Sequence, residues 1–455
     1  MKHAISLKQK YIQFFHILIP ILVTQITLSL MTFFDTTMSG HASPADLAGA
    51  AIGSSLWVPV QTGLSGILMG ITPIVSHLIG RGEKDKADFN VMQALMLALV
   101  VSIVVIIAGG FALDPILNAM GLEPKVQHVA HYFLVAIGTG ILPLFGYTVL
   151  RSFIDSIGQT RISMIITLLS LPINVVVNYL LIFGKLGFPQ LGGVGSGVGS
   201  SFTYWCIFLL ALIIVRKGGV FSEYQMLRKL YRISLAKWKE LLKIGVPIGF
   251  AIFFETAVFA AVTLFMSQYD TKTIAAHQSA LNFASTLYMI PLSICLSLTI
   301  LVGFETGASR LKDAKQYARL GIGTAAGMSV LTAVILLVFQ DGVALLYSNE
   351  PRVIELTKHF LLYAIFFQLS DAIAAPIQGA LRGYKDVNSP FLLAFVAYWV
   401  IGLPLGYVIA NFTDLGPYGY WVGLISGLAV AAVSLYLRLN YIQKKYARRT
   451  GQSAV

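Results

Sequence analysis

The chain is 455 residues long, 56% hydrophobic and only 11% charged, with a mean hydropathy of +0.78 and a formal net charge of +12. This composition lies far outside that of a soluble domain. It excludes a water-soluble catalytic domain and takes away the usual nucleic-acid reading of a strongly basic protein.

Short charged stretches separate apolar runs, each long enough to supply the roughly 20 residues that a bilayer-crossing helix needs. Twelve such runs are predicted, over residues 13–38, 46–79, 89–112, 127–149, 160–183, 193–215, 244–268, 274–305, 320–340, 356–377, 389–411 and 418–440. The runs are continuous rather than alternating, which selects helices over barrel strands. The fold class expected is an all-α integral membrane protein.

The first run follows Lys2, Lys8 and Lys10, as in a signal peptide, but it is too long and lacks a small-x-small cleavage site, so it reads as a span. Pro20 interrupts it, frees a carbonyl and permits a bend, which makes it a hinge candidate; a static kink fits equally. Asp35 lies in its outer part. The fifth run carries Asn174 and Asn178, one turn apart on one helix face. An acid and two amide oxygens at similar depth form a candidate site for a hard cation such as Na⁺, although interhelical hydrogen bonding by asparagine is the plainer alternative. In the sixth run Gly193, Gly195, Gly197 and Gly199 read as a packing surface, since no G-x-x-x-x-G-K-[ST] loop is present.

Residues 216–243 are basic, and Tyr224, Met226, Leu227, Leu230 and Tyr231 within them are expected on the membrane surface. In the seventh run Pro247 stands 227 residues after Pro20, and Glu255 follows Lys243 by twelve residues, which at 1.5 Å per residue is roughly 18 Å of depth. Asp371 in the tenth run lies thirteen residues past Lys358, roughly 20 Å from the opposite side. The two acids are therefore expected to share one site. No Lys or Arg lies in the run that holds Glu255, and a carboxylate pair without a local base invites a proton or a metal cation; two separate, protonated acids are the alternative. His277 and Gln278 in the eighth run either line a cavity or, for His277, form a satisfied buried histidine. Asp155, Glu305 and Asp386 near cytoplasmic ends read as interfacial partners of Arg151, Arg310 and Arg382. Cys206 and Cys295 fall inside spans, which excludes a disulfide framework and a cysteine-based metal site. No Walker motif, metal cluster or nucleophile arrangement is present, so no cofactor is expected and the chain does not read as an enzyme.

Placing the N-terminus in the cytoplasm leaves only Lys125, Lys185, Lys272, Arg352 and Lys358 of the 32 basic residues outside. The positive-inside rule then puts both termini and the 216–243 segment in the cytoplasm. The chain also repeats itself. Val75, Gly80 and Ala87 recur as Val302, Gly307 and Ala314, and Asp114 as Asp341, all at an offset of 227. Glu123-Pro124-Lys125-Val126 returns as Glu350-Pro351-Arg352-Val353, and Leu150-Arg151-x-Phe153-x-Asp155 as Leu381-Arg382-x-Tyr384-x-Asp386. Six spans return the chain to its starting side, so the halves insert in parallel, the plan of a secondary transporter with its site between repeats. The domains expected are 1–215 with spans 1–6, a cytoplasmic linker at 216–243, and 244–455 with spans 7–12 and a basic tail.

Several stretches together resemble the multidrug and toxin extrusion family, in its bacterial NorM-type branch. They are Phe34-Asp35-Thr36, Leu191-Gly192-Gly193-Val194-Gly195, Phe253-Phe254-Glu255, Ala275-Ala276-His277-Gln278-x-Ala280-Leu281-Asn282-Phe283, Leu381-Arg382-Gly383-Tyr384-Lys385-Asp386 and Tyr398-Trp399-x-x-Gly402-Leu403-Pro404. The resemblance covers nearly the full length. It implies a V-shaped fold of two six-helix lobes in the bacterial cytoplasmic membrane. It implies export of cationic, amphipathic drugs in exchange for Na⁺ or H⁺ by a single-chain transporter with no nucleic-acid partner. By the same resemblance Asp35, Asn174 and Asn178 are the cation residues of the first lobe, and Glu255 and Asp371 those of the second. Asp35, Glu255, Tyr288, Phe367 and Asp371 are then candidates for contact with the drug. Phe367 stands where some relatives carry tyrosine, which removes an oxygen ligand. The alternative function is a lipid-linked precursor flippase of the same superfamily, which needs a more basic cavity than these acids provide.

Overall fold

The computed structural model describes residues 3–224, 229 and 231–449. Among the described residues the regular elements are all helical. Eleven helices are long and apolar enough to cross a membrane: Leu7–Ala42, Pro44–Gly80, Lys84–Ala119, Thr160–Phe183, Gly193–Lys217, Leu235–Met266, Thr271–Gly307, Leu311–Tyr347, Pro351–Gly383, Asn388–Phe412 and Tyr418–Arg448. A bent pair, Pro124–Gly138 and Ile141–Ser156, completes twelve. We number them spans 1 to 12 in chain order, the bent pair being span 4. Large apolar side chains such as Phe111, Val338 and Leu346 stay exposed, as a lipid-facing surface requires.

The predicted runs lie within these helices or within two residues of their ends. Most helices run further than the apolar stretch, because charged ends can stay helical in the headgroup region. Span 4 is sharply broken, and its halves meet at 49°. Pro143 has no N–H for the Thr139 carbonyl, which instead accepts from Trp205 Nε1 at 3.1 Å; Ser201 Oγ donates to the Ala136 carbonyl at 2.6 Å. Span 6 thus satisfies the carbonyls that the break exposes, which is what permits irregular backbone at this depth. Gly140 makes the approach possible: a Cβ there would lie 2.8 Å from Ser201 Cα.

Span 11 contains a π turn, Val396–Gly402, immediately before Pro404. The wider turn accommodates a ring that cannot donate to the preceding turn. Small residues then bring span 12 against it. A Cβ on Gly423 would sit 2.4 Å from Gly406 Cα, and one on Gly427 would sit 2.3 Å from the Ala397 carbonyl oxygen. This ladder is a small-residue helix interface of the membrane type.

The chain forms two compact units. One holds Ile19–Gly249; the other holds Lys2–Leu18 and Phe250–Val455. Spans 1 and 7 therefore each change unit partway along, two residues before Pro20 and within three residues after Pro247. In the second unit Lys10 is 3% exposed and pairs with Asp313, while Tyr317 donates to Gln13 Oε1 at 2.6 Å. In the first unit Gly249 packs on Ile67, where a Cβ would approach its side chain to 2.5 Å.

The internal repeat is visible as chemistry. His131 of span 4 pairs with Asp114 of span 3 at 3.0 Å, and 227 residues later Lys358 pairs with Asp341. Ser43 and Asp46 bond each other at the start of span 2; Asp270 and Thr273, the same two positions with acid and hydroxyl exchanged, do so at the start of span 8.

The linker departs from the expected membrane-surface segment. Tyr224 is buried and meets Phe153 edge-on at 5.5 Å, and Phe221 is buried beside the same ring. Tyr231 donates to Asp88 at 2.8 Å, a bond that pushes the phenol up to about 12. Lys84 pairs with Glu223, and its ammonium holds that exposed carboxyl below its usual value. Protein-facing hydrogen bonds and aromatic packing have displaced lipid as the partner of these rings. Met226, Leu227 and Leu230 lie outside the described residues.

Candidate cation and drug sites

Each unit encloses a deep carboxylate site, and the two sites are built differently. In the first unit, Asn178 Nδ2 donates both to Asp35 Oδ1 and, at 3.3 Å, to Asn174 Oδ1. Ser200 Oγ of span 6 donates to Asp35 Oδ2 at 3.2 Å. Tyr204, one turn further along span 6, bonds Gln61 and lies within electrostatic reach of Asp35. Asn174 and Asn178 are fully buried while Asp35 is half-buried, so the acid forms the accessible edge of the group. Asn178 Oδ1 has no hydrogen-bond partner among the described residues. A buried amide oxygen left over beside a carboxylate is the oxygen set a hard cation takes.

The glycine comb explains how span 6 reaches this group. Gly195 packs against the Leu181–Ile182 backbone, Gly197 against the Phe133 carbonyl, and a Cβ on Gly199 would lie 2.0 Å from Asn178 Oδ1. Gly199→Ala is therefore expected to push Asn178 off Asp35 and to cost about 1–3 kcal/mol by overpacking. Transport by Gly199→Ala should fall well below that of Gly109→Ala, whose added Cβ meets nothing within 4 Å; equal rates in an efflux assay would count against the site.

In the second unit Glu255 accepts from Gln378 Nε2 at 2.9 Å, and Arg382 Nη2 donates to Gln378 Oε1 at 3.4 Å. Asp371 is buried, and no described side chain hydrogen-bonds it. Tyr288 of span 8 and Tyr398 of span 11 each lie within electrostatic reach of both acids. Phe367, one turn before Asp371, packs edge-on against Phe259 at 5.5 Å and against Trp421 at 6.3 Å. Asp371, Gln378 and Arg382 share one face of span 10, and the tilt of helical side chains toward the N-terminus carries Arg382 back over Gln378.

His277 is the satisfied buried histidine of the two readings. Trp421 Nε1 donates to its Nδ1 at 3.1 Å, so Nε2 carries the proton and faces Thr263 Oγ1 at 3.3 Å. Asp155 and Glu305 pair with Arg151 and Arg310 as expected. Asp386 does not pair with Arg382: it binds Arg438 of span 12 at 2.8 Å, which leaves Arg382 to turn inward. The sequence reading missed Ser200, Tyr204, Gln378, Arg382 and Tyr398. It also missed Gln61, although that residue stands 227 positions before Tyr288 and occupies the matching place in its lobe.

The MatE family model matches residues 20–180 and 247–408. The chain belongs to the MatE family. "Probable multidrug resistance protein NorM" of Bacillus subtilis (strain 168) is 57% identical over 449 residues, 99% of each chain. The protein of the same name from Bacillus thuringiensis subsp. konkukian is 56% identical over 453 residues, 100% of each chain. A crystal structure of a MATE protein in the straight conformation has the same fold, with a TM-score of 0.88 at 16% identity over 96% of both chains. MatE membership makes the protein a multi-span transporter rather than an enzyme, and the resemblance to the NorM-type branch holds over the whole length.

Proposed function

We propose that this MatE protein is a secondary active multidrug exporter of the bacterial cytoplasmic membrane, exchanging cationic, amphipathic drugs for Na⁺ or H⁺ by alternating access. The observation that carries the proposal is the pair of deep acid sites, Asp35 with Asn174 and Asn178, and Glu255 with Asp371. Both suit a small cation and a drug cation in turn, and a membrane-embedded acid with no directly bonded base is a transport site by default. The relatives' name as multidrug resistance proteins supports the same substrate class.

In this reading each of the two six-span lobes, residues 1–215 and 244–455, binds a coupling cation. Tyr288 and Phe367 offer aromatic surface to the drug beside the second-lobe acids. Pro20 is the hinge of span 1, at the point where the span leaves one compact unit for the other, and Pro247 holds the matching place in span 7. The chain works as a monomer. Efflux of a fluorescent cation from cells, with Na⁺ and pH gradients imposed separately, tests the proposal: one gradient or both must drive it, and efflux indifferent to both contradicts antiport.

Both termini and residues 216–243 face the cytoplasm in this scheme. A cysteine placed at the exposed Ser222 is expected to react with an impermeant maleimide only in permeabilised cells. Labelling in intact cells would reverse the orientation.

A further inference from the structure

Arg382 is an unusual residue to find where it is. It is 7% exposed, and its hydrogen-bond partners are both neutral, Gln378 Oε1 at 3.4 Å and Cys295 Sγ at 3.8 Å. The carboxylate four residues on, Asp386, is held by Arg438. A buried guanidinium, always charged, needs a counter-charge close by. Among the described residues the acids that share its surroundings are Glu255, one hydrogen bond beyond Gln378, and Asp371: Tyr288 and Cys295 each lie within electrostatic reach of all three groups. The first-lobe site is different, for no described Lys or Arg bonds Asp35, Asn174 or Asn178. Arg151, the repeat counterpart of Arg382, pairs with its own Asp155.

We propose that Arg382 determines the charge specificity of the second-lobe site: its fixed positive charge, held toward Glu255 by Gln378, leaves the ionised site one uncompensated negative charge and fits it to one monovalent cation at a time. The inference rests on the reading of Glu255 and Asp371 as cation and drug ligands, and it adds what that reading lacks, a limit on valence. Two carboxylates alone would attract a dication, or two monovalent cations together. With Arg382 present, a dication brings one charge too many into a low-dielectric site, where an unpaired charge is strongly disfavoured. Gln378 orients the arrangement, since its amide accepts from the guanidinium and donates to the carboxylate.

The test is equilibrium binding to the purified, detergent-solubilised full chain of two probes, tetraphenylphosphonium as monocation and a bis-quaternary ammonium of similar size as dication. Wild type is expected to prefer the monocation. Arg382→Gln is expected to raise the dication-to-monocation affinity ratio by roughly 10-fold or more, the scale of one partly screened charge at close range. Arg382→Lys should restore the wild-type ratio, which a merely structural arginine has no reason to do. Gln378→Glu, which adds a negative charge without removing Arg382, should raise the ratio as well and serves if Arg382→Gln does not fold. A ratio unchanged in both Arg382→Gln and Gln378→Glu, with Glu255→Gln still weakening both probes, overturns the role of Arg382 alone. If Glu255→Gln and Asp371→Asn leave both affinities intact, the second-lobe site itself is wrong and the inference falls with it.

Discussion

Gradient-driven efflux is expected to fall to background in Glu255→Gln and in Asp35→Asn, with both proteins still inserted at wild-type levels. The amide replaces the carboxylate at almost the same volume, so packing survives while the charge that a cation must neutralise is gone. In Glu255→Gln the Gln378 amide loses a charged acceptor; in Asp35→Asn the bonds from Asn178 and Ser200 become neutral ones. Antiport requires drug and coupling cation to oppose each other with a coupling free energy of about 1–3 kcal/mol, or about 5–150-fold in drug affinity. Removing either acid should erase that opposition in its lobe. Efflux rates under an imposed Na⁺ or pH gradient, normalised to membrane-inserted protein, measure the effect; full activity in both variants would remove these acids from the mechanism.

The second large effect is expected at Gly379. A Cβ there would lie 2.2 Å from the Cys295 carbonyl oxygen and 2.7 Å from its backbone carbons. No side-chain rotation relieves a collision with backbone, so Gly379→Val must separate spans 8 and 10. Those spans carry Tyr288 and Cys295 on one side and Asp371, Gln378 and Arg382 on the other, so the second-lobe site opens with them. Overpacking of this kind costs about 1–3 kcal/mol and occasionally more. We expect a lowered melting temperature in detergent together with lost drug binding. Gly323→Val, at a position with open space around it, should show neither.

Much of this fold was legible because a bilayer allows few solutions. Twelve apolar runs, their basic flanks and the 227-residue offset follow from the cost of unsatisfied backbone and of charge in hydrocarbon. The break in span 4 was not legible. It depends on Trp205 and Ser201 reaching carbonyls some 65 residues earlier in the chain, and no local pattern announces that. The Gly402–Gly406 and Gly423–Gly427 ladder was present as a sequence pattern, but only the structure shows which helix each face meets. The deep acids were legible as misfits in apolar runs. Their partners were not, because serine, glutamine and tyrosine are cheap enough in a membrane helix to pass unnoticed. Arg382 misled for a different reason: with Asp386 four residues away it reads as an interfacial pair, and span 12 resolves the matter by supplying Arg438.

The repeat also shows where the two lobes part. Asp35 corresponds to Val262, Glu255 to Leu28 and Asp371 to Leu144, so none of the three acids has an acidic counterpart. Asp35 stands seven residues further along its span than Glu255 does along the matching one, roughly 10 Å further from the N-terminal end of that helix. The packing framework is duplicated, as the Asp114–His131 and Asp341–Lys358 pairs show. The charged sites are not duplicated with it.

The most direct measurement is drug affinity of the purified protein with and without Na⁺, at two pH values, in wild type, Asp35→Asn and Glu255→Gln. Wild type should bind a cationic drug about 5–150-fold more weakly when Na⁺ or H⁺ is abundant, and each variant should lose part of that difference. Wild-type affinity that is the same under all four conditions would contradict cation-coupled antiport.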